Sequence, residues 1–168
     1  MNDPKQRMEA VWRERAGRLS RRPVLVQAEQ DALPVIVLGI GKERYGIDLA
    51  DVAEVLPPVR ATPVPGAAAA CSGVINVHGE IRPVIDLRRV LGMAPGSDLA
   101  RVILLRKEGR EMGLQIDSVE QIRRISSSNL GATGDAGWSR HIKGSTKDLL
   151  MLLSTAALFA ELEQGVTT

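Results

Sequence analysis

The side chains that most often perform chemistry in proteins are scarce in this sequence. Its 168 residues include two histidines, His78 and His141, and one cysteine, Cys71. A closed zinc site needs four ligands, and none of these three residues stands at ligand spacing from another. No serine lies in the glycine-flanked turn that exposes a hydrolase nucleophile. The sequence therefore predicts no catalytic residues, no metal site and no cofactor, and hence a protein that is not an enzyme.

One glycine-containing segment resembles a dinucleotide-binding loop only loosely. Residues 39–46 carry three glycines, at positions 39, 41 and 46. A dinucleotide fingerprint requires a helix directly after its glycines, because the helix N-terminus binds the pyrophosphate. A strand-like run follows here instead. We therefore interpret the segment as the turn of a β-hairpin.

The elements that would position any functional residue are short β-strands. From residue 34 onward, apolar runs alternate with Gly and Pro at short intervals, a pattern typical of small barrels or sandwiches. The predicted strands are residues 34–40, 44–49, 51–56, 73–77, 81–87, 101–106, 111–117, 119–125 and 148–153. Short helical turns are predicted at residues 66–71, 88–91 and 156–163.

An internal repeat organises these strands. When the chain is aligned with itself without a gap, so that residues 35–38 fall on residues 102–105, Gly46 falls on Gly113. Apolar positions recur in this alignment, whereas charged positions do not. A repeated core would leave this signature, because core positions are constrained by packing and surface positions are not. The repeat predicts two equivalent β subdomains.

The N-terminal segment, residues 1–31, differs in character from the remainder. Residues 1–22 carry seven Lys and Arg against three Asp and Glu, a net charge of +4, although the whole chain carries only +2. Residues 5–20 have helical spacing, with Met8, Val11 and Trp12 near one face. We predict a basic helix and linker over residues 1–31 and a separate domain over residues 32–168. The helix face could contact its own barrel, a partner or a membrane surface, or it could be solvated.

Composition narrows the range of functions. Aromatic residues make up 2% of the chain, which argues against modules that stack nucleic-acid bases on aromatic rings. The single cysteine cannot form an internal disulfide, and no apolar stretch approaches the length of about 20 residues that a membrane helix needs. These features predict a cytoplasmic protein. A small-barrel nucleic-acid-binding protein with a basic arm remains the alternative function.

Four segments carry a specific family resemblance. They are residues 44–48, 52–55, 73–79 and 81–88. In order and spacing they resemble the CheW family of chemotaxis coupling proteins, whose pattern runs E-x-Y-G-I-D, V-x-E-I, G-V-x-N-L-R-G and I-x-P-V-x-D-L-R. The resemblance extends over residues 33–163 and leaves out the basic N-terminal segment.

The resemblance implies a mainly β fold of two SH3-like, five-stranded β-barrel subdomains with short helices, preceded here by the N-terminal helix. It implies a non-catalytic adaptor that binds the CheW-like regulatory domain of a CheA-type histidine kinase and the cytoplasmic tips of chemoreceptors. Other CheW-like domains are possible partners. Nucleic acid is not an implied partner, and the membrane is reached only through receptors.

The resemblance also implies a partner-facing region, while Met8, Val11 and Trp12 form a predicted contact helix outside it. The residues carried over by motif are Val52, Glu54, Gly73, Val74, Asn76, His78 and Gly79. Gly73, Val74, Asn76 and Gly79 could equally determine the fold without contacting a partner. The family has arginine where this chain has His78, and that arginine is thought to pair with the glutamate that matches Glu54. A histidine would make this attraction depend on pH, whereas arginine keeps its charge.

Overall fold

The computed structural model describes residues 32–132 and 139–164. The second of the chain's two units, Leu33–Thr168, contains this fold. The predicted basic helix, with Met8, Val11 and Trp12, lies outside the described residues.

The described chain forms ten strands and two α-helices. The strands are β1 (Ala32–Ile40), β2 (Glu43–Asp48), β3 (Val52–Arg60), β4 (Cys71–Val77), β5 (Glu80–Asp86), β6 (Leu99–Lys107), β7 (Arg110–Ile116), β8 (Ser118–Ser126), β9 (Ile142–Ser145) and β10 (Leu150–Leu153). The helices are α1 (Leu87–Val90) and α2 (Thr155–Gln164). Single 3-10 turns lie at Leu49–Asp51, Ser127–Asn129 and Ser139–His141.

The strands form two five-stranded sheets. The first has the order β8-β1-β2-β10-β9, and the second has the order β3-β6-β7-β5-β4. In each sheet a bridge joins one edge strand to the chain that follows the other edge strand. Gly131 pairs with Ser145 in the first sheet, and Thr62 pairs with Val74 in the second. We call the two closed sheets the first barrel and the second barrel, and they confirm the predicted fold class.

The sequence repeat does not coincide with the barrels. The self-alignment that places residues 35–38 on residues 102–105 also places both ends of β1 on the ends of β6. Strands β1 and β2 nevertheless belong to the first barrel, while β3, β4 and β5 belong to the second. The second half of the chain does the reverse, with β6 and β7 in the second barrel and β8, β9 and β10 in the first. Each barrel therefore combines a hairpin from one half of the chain with three strands from the other.

Strand alternation explains how this exchange is stabilised. On β1, Ile36 and Leu38 face a core shared by both sheets, whereas Val35 and Val37 face a separate cluster in the first barrel. On β6, Leu105 likewise joins the shared core. Both strands are thus buried on two faces. Each fully buried aliphatic side chain contributes about 1.5–3 kcal/mol, so the shared core holds the two barrels together.

Two local predictions were incomplete or wrong. Strand β9, which contains Lys143 and Gly144, was missed because its short, polar sequence lacks an apolar alternation. The helical turn predicted at residues 66–71 is instead a pair of tight turns, in which Cys71 N donates to Ala68 O at 2.8 Å. The helix propensity of four alanines is outweighed by pairing with the second barrel, since Ala70 O accepts from Asp86 N at 2.9 Å.

Candidate functional site

The predicted site residues lie at the two edges of the second barrel. Glu54 lies on edge strand β3, and His78 and Gly79 form the turn between edge strand β4 and β5. Both turn residues have positive φ, 52° at His78 and 90° at Gly79. A two-residue hairpin turn with this geometry matches the strand twist. The Asn76 side chain accepts a hydrogen bond from Gly79 N at 2.8 Å, which is the local bond expected of this residue.

The turn reaches across the barrel opening to β3. His78 Nε2 lies 2.9 Å from Glu54 Oε2, so the protonated ring nitrogen donates to the carboxylate. The side chains are 77% and 43% exposed, respectively. The hydrogen bond to Glu54, followed by its charge, raises the pKa of His78 above the usual value. The structure therefore brings together the two residues whose family counterparts are thought to pair.

Gly73 and Val74 serve the closure of the second barrel. Gly73 has a φ of 141°, and a Cβ placed on it would lie 2.2 Å from Thr62 O. This distance is too short for any side chain, so only glycine permits the approach. Val74 exchanges backbone hydrogen bonds with Thr62 at 2.8 and 2.9 Å. Both residues thus hold β4 against the segment that follows β3.

Val52 and Glu54 have different surroundings. Val52 is half-buried and packs against the shared core, whereas Glu54 lies exposed beside the His78 turn. The β3–β6 register shifts between them, since Val52 pairs with Leu105 and Glu54 with Leu104. A bulge of this kind bends the strand and redirects side chains. Simple alternation would have placed the two residues on one face and could not reveal this difference.

A network of charges that sequence reasoning missed extends over the neighbouring strands. Glu111 on β7 accepts hydrogen bonds from Arg106 Nε at 2.6 Å and Arg82 Nε at 3.0 Å. The bond from Arg106 is the main cause that lowers the pKa of Glu111 below its usual value. Arg82 also pairs with Glu80, the residue that follows the hairpin turn. Only the cross-strand register, which places Arg106 opposite Glu111, could have predicted this network.

Exposed apolar residues lie close to Glu54 and to His78 along the chain. Val55 follows Glu54 on β3 and is 39% exposed, and Ile81 at the start of β5 is 61% exposed. Ile81 pairs with Asn76 in the β4–β5 ladder, next to the turn. Apolar side chains surrounded by polar groups are typical of protein interaction surfaces. The sequence did not single out these two residues, because either could have faced the core.

Within residues 32–132 and 139–164, no three His, Cys, Asp or Glu side chains gather closely enough to hold a metal ion. In the same part of the chain, no helix is long and apolar enough to span a bilayer.

Comparison with known proteins matches the fold and the site motifs to one family. Residues 34–163 match the model of the CheW-like domain. The chain belongs to the CheW-like domain family. It is 29% identical to the probable chemotaxis protein CheW of Rhizobium etli, over 77% of this chain and 88% of that protein. It is 30% identical to the chemotaxis protein CheW of Rhizobium meliloti, over 60% of this chain and 66% of that protein.

A solved structure supports the same assignment. The crystal structure of the scaffolding protein TtCheW from Thermoanaerobacter tengcongensis has a TM-score of 0.66 to this chain and 27% sequence identity. The match covers 74% of this chain and 85% of that one. CheW proteins are chemotaxis scaffold proteins built from two SH3-like subdomains, and this chain has both barrels.

Proposed function

We propose that this chain is a non-catalytic, cytoplasmic adaptor that couples a CheA-type histidine kinase to chemoreceptors. It binds the CheW-like regulatory domain of the kinase and the cytoplasmic tips of the receptors. Membership of the CheW family supports the proposal. The observation that carries it is the Glu54–His78 pair, exposed at the open edge of the second barrel, with the exposed Val55 and Ile81 close to it along the chain.

The proposed mechanism is docking without chemistry. A barrel edge held by backbone pairing presents its side chains with little loss of conformational freedom on binding. Val55 and Ile81 supply apolar anchors, which carry most of the energy of a small interface. The charged side chains around them set the orientation and the choice of partner. The scarcity of aromatic residues assigns the anchoring role to aliphatic side chains.

The residues carried over from the family divide into two roles in this proposal. Glu54, His78 and Gly79 contact the partner from exposed positions. The other four residues lie in the barrel closure, the turn or the core, and they maintain the shape of the surface. These are Val52, Gly73, Val74 and Asn76. The N-terminal residues Met8, Val11 and Trp12 supply an additional contact, which a chain lacking residues 1–30 would lose.

The test compares two exposed valines of similar accessibility. Val55 on β3 is 39% exposed, and Val64, in the segment between β3 and β4, is 43% exposed. Val55→Lys should weaken binding to the CheA-type kinase of the same cell at least about tenfold, while Val64→Lys leaves binding unchanged. Calorimetry with purified kinase measures both affinities, and circular dichroism checks that both variants fold.

The proposal fails if the wild-type chain binds neither the kinase nor a receptor tip. It also fails if both valine variants bind like the wild type. Retention on DNA with a steep dependence on salt, in place of kinase binding, would favour the nucleic-acid-binding alternative.

A further inference from the structure

A small basic pocket lies on the first barrel, between β8 and the turn that joins β9 to β10. Its volume is about 140 Å³. The polar side chains that line it include Arg123, Arg124, Ser126, Asn129, Lys147 and Asp148. The proposed partner surface involves the edges of the second barrel, so this pocket is a separate feature.

Positive charge predominates in the pocket. Three cationic side chains line it against a single carboxylate, that of Asp148. Both oxygens of this carboxylate are already engaged, because Oδ2 accepts from Arg123 Nη1 at 2.6 Å and Oδ1 accepts from Thr146 Oγ1 at 2.6 Å. Lys147 is exposed and makes no ion pair or hydrogen bond with the residues that the structure describes. Its ammonium group can therefore bind an anion.

The turn that carries Lys147 is held in a fixed conformation. Leu149 has a φ of 60°, a strained value for a bulky residue, and its side chain is 77% exposed. Thr146 stabilises the turn by accepting hydrogen bonds from Leu149 N at 3.0 Å and from Leu150 N at 3.2 Å. Strained residues persist where the surrounding contacts fix them, and they occur often at ligand sites. The backbone position of Lys147 beside the pocket is thus set before any ligand arrives.

The size of the pocket limits the ligand. Sites for drug-sized molecules have volumes of about 300–1,000 Å³, so this pocket is too small for one. It can accommodate a few water molecules or one tetrahedral anion. Cationic donors bind phosphate oxygens through charge-assisted hydrogen bonds, and the hydroxyl of Ser126 and the amide of Asn129 can add neutral ones.

We propose that this pocket binds a single phosphate group, either inorganic phosphate or the phosphate of a small monoester. Lys147 binds its oxygens, and the guanidinium of Arg124 adds positive charge beside them. Arg123 stays paired with Asp148 and fixes the wall of the pocket. The phosphate can enter from solvent, because the lining residues Lys147 and Asn129 are both exposed. The proposal does not depend on the adaptor function.

Calorimetric titration of the full chain with inorganic phosphate, at constant ionic strength set by chloride, tests the site. The test variant is Lys147→Gln, and Lys42→Gln is the matched control, since Lys42 is exposed in the β1–β2 turn of the same barrel. We expect Lys147→Gln to weaken phosphate binding about three- to tenfold and Lys42→Gln to leave it unchanged. Arg124→Gln should weaken it by a smaller factor.

A parallel titration with phosphoserine identifies the source of the phosphate. Binding of phosphoserine at least as tight as that of inorganic phosphate assigns the pocket to a monoester, and preference for inorganic phosphate assigns it to the free anion. Absence of phosphate binding, or equal affinity of the two lysine variants and the wild type, overturns the proposal. Kinase binding measured on the same samples keeps this outcome distinct from that of the adaptor function.

Discussion

Each barrel has an ion pair between an edge strand and a turn at its opening. The acid and the cation exchange places between the two barrels. In the second barrel the acid, Glu54, lies on the edge strand, and the cation, His78, lies on the hairpin turn. In the first barrel the cation, Arg123, lies on edge strand β8, and the acid, Asp148, lies on the turn between β9 and β10. One fold thus tolerates either polarity. The two pairs differ in their response to pH, because a His–Glu pair loses its cation as pH rises through the pKa of the histidine and an arginine keeps its charge.

Alanine substitution of Gly73 and of Gly131, the glycines at the bridges that close the two barrels, should give the largest difference in stability between the barrels. Gly73→Ala forces a Cβ to within 2.2 Å of Thr62 O, whereas a Cβ on Gly131 would lie 3.7 Å from Ser145 O. We expect Gly73→Ala to lower the free energy of unfolding by about 4 kcal/mol and Gly131→Ala by less than about 1 kcal/mol. Urea denaturation of both variants measures the difference. Equal losses would show that the two closures are equivalent.

A matched pair in the shared core should instead show equivalence. Leu38 on β1 and Leu105 on β6 occupy corresponding repeat positions, and both are fully buried in the same cluster. Leu38→Ala and Leu105→Ala should each cost about 3 kcal/mol. Urea denaturation should give a single transition for both variants, because the barrels share this core. Separate transitions would mean that the barrels unfold independently.

The Glu54–His78 pair should make the second barrel sensitive to pH. The pKa of His78 is raised, so the pair contributes fully below about 6.5, the usual value for histidine, and is lost as pH rises through the raised pKa. Kinase affinity should therefore fall as pH rises above about 6.5 and through the raised pKa of His78. His78→Arg should bind more tightly at neutral pH and show no such fall. Calorimetry at pH values on either side of this pKa measures this, and identical profiles for the two proteins would exclude the pair as the cause.

The Arg123–Asp148 pair should produce the smallest effect near neutral pH. A hydrogen bond from Thr146, followed by one from Arg123, lowers the pKa of Asp148 to about 2. The pair therefore stabilises the fold above about pH 4, the usual range for aspartate, and is lost as pH falls towards 2. The stability difference between the wild type and Asp148→Asn should be constant from about pH 5 to 8 and should shrink in acid. Thermal melts across this range test the expectation.

Much of the fold followed from local patterns. Nine of the strands, the hairpin turn at His78 and Gly79, and the turn-forming role of Asn76 were predictable, because apolar alternation and turn chemistry act over a few residues. Strand β9 was not predicted because its four residues, Ile142–Ser145, are too few to show an apolar alternation. The exposure of Val55 and Ile81 was equally hidden, since an isolated aliphatic residue in a strand does not reveal which face is covered.

The sequence by itself determined the internal repeat, the β-rich architecture and the motifs that place the chain in the CheW family. Only the tertiary structure decided that each barrel takes strands from both repeats and that Arg123 meets Asp148, while the contact of Glu54 with His78 was implied by the family resemblance alone. The physical reason is that a sequence repeat shows only which residues must be buried. The same residues are buried whether a hairpin packs with the strands of its own half of the chain or with those of the other half. Pairs across a barrel opening depend on how the sheet closes, which no local pattern encodes.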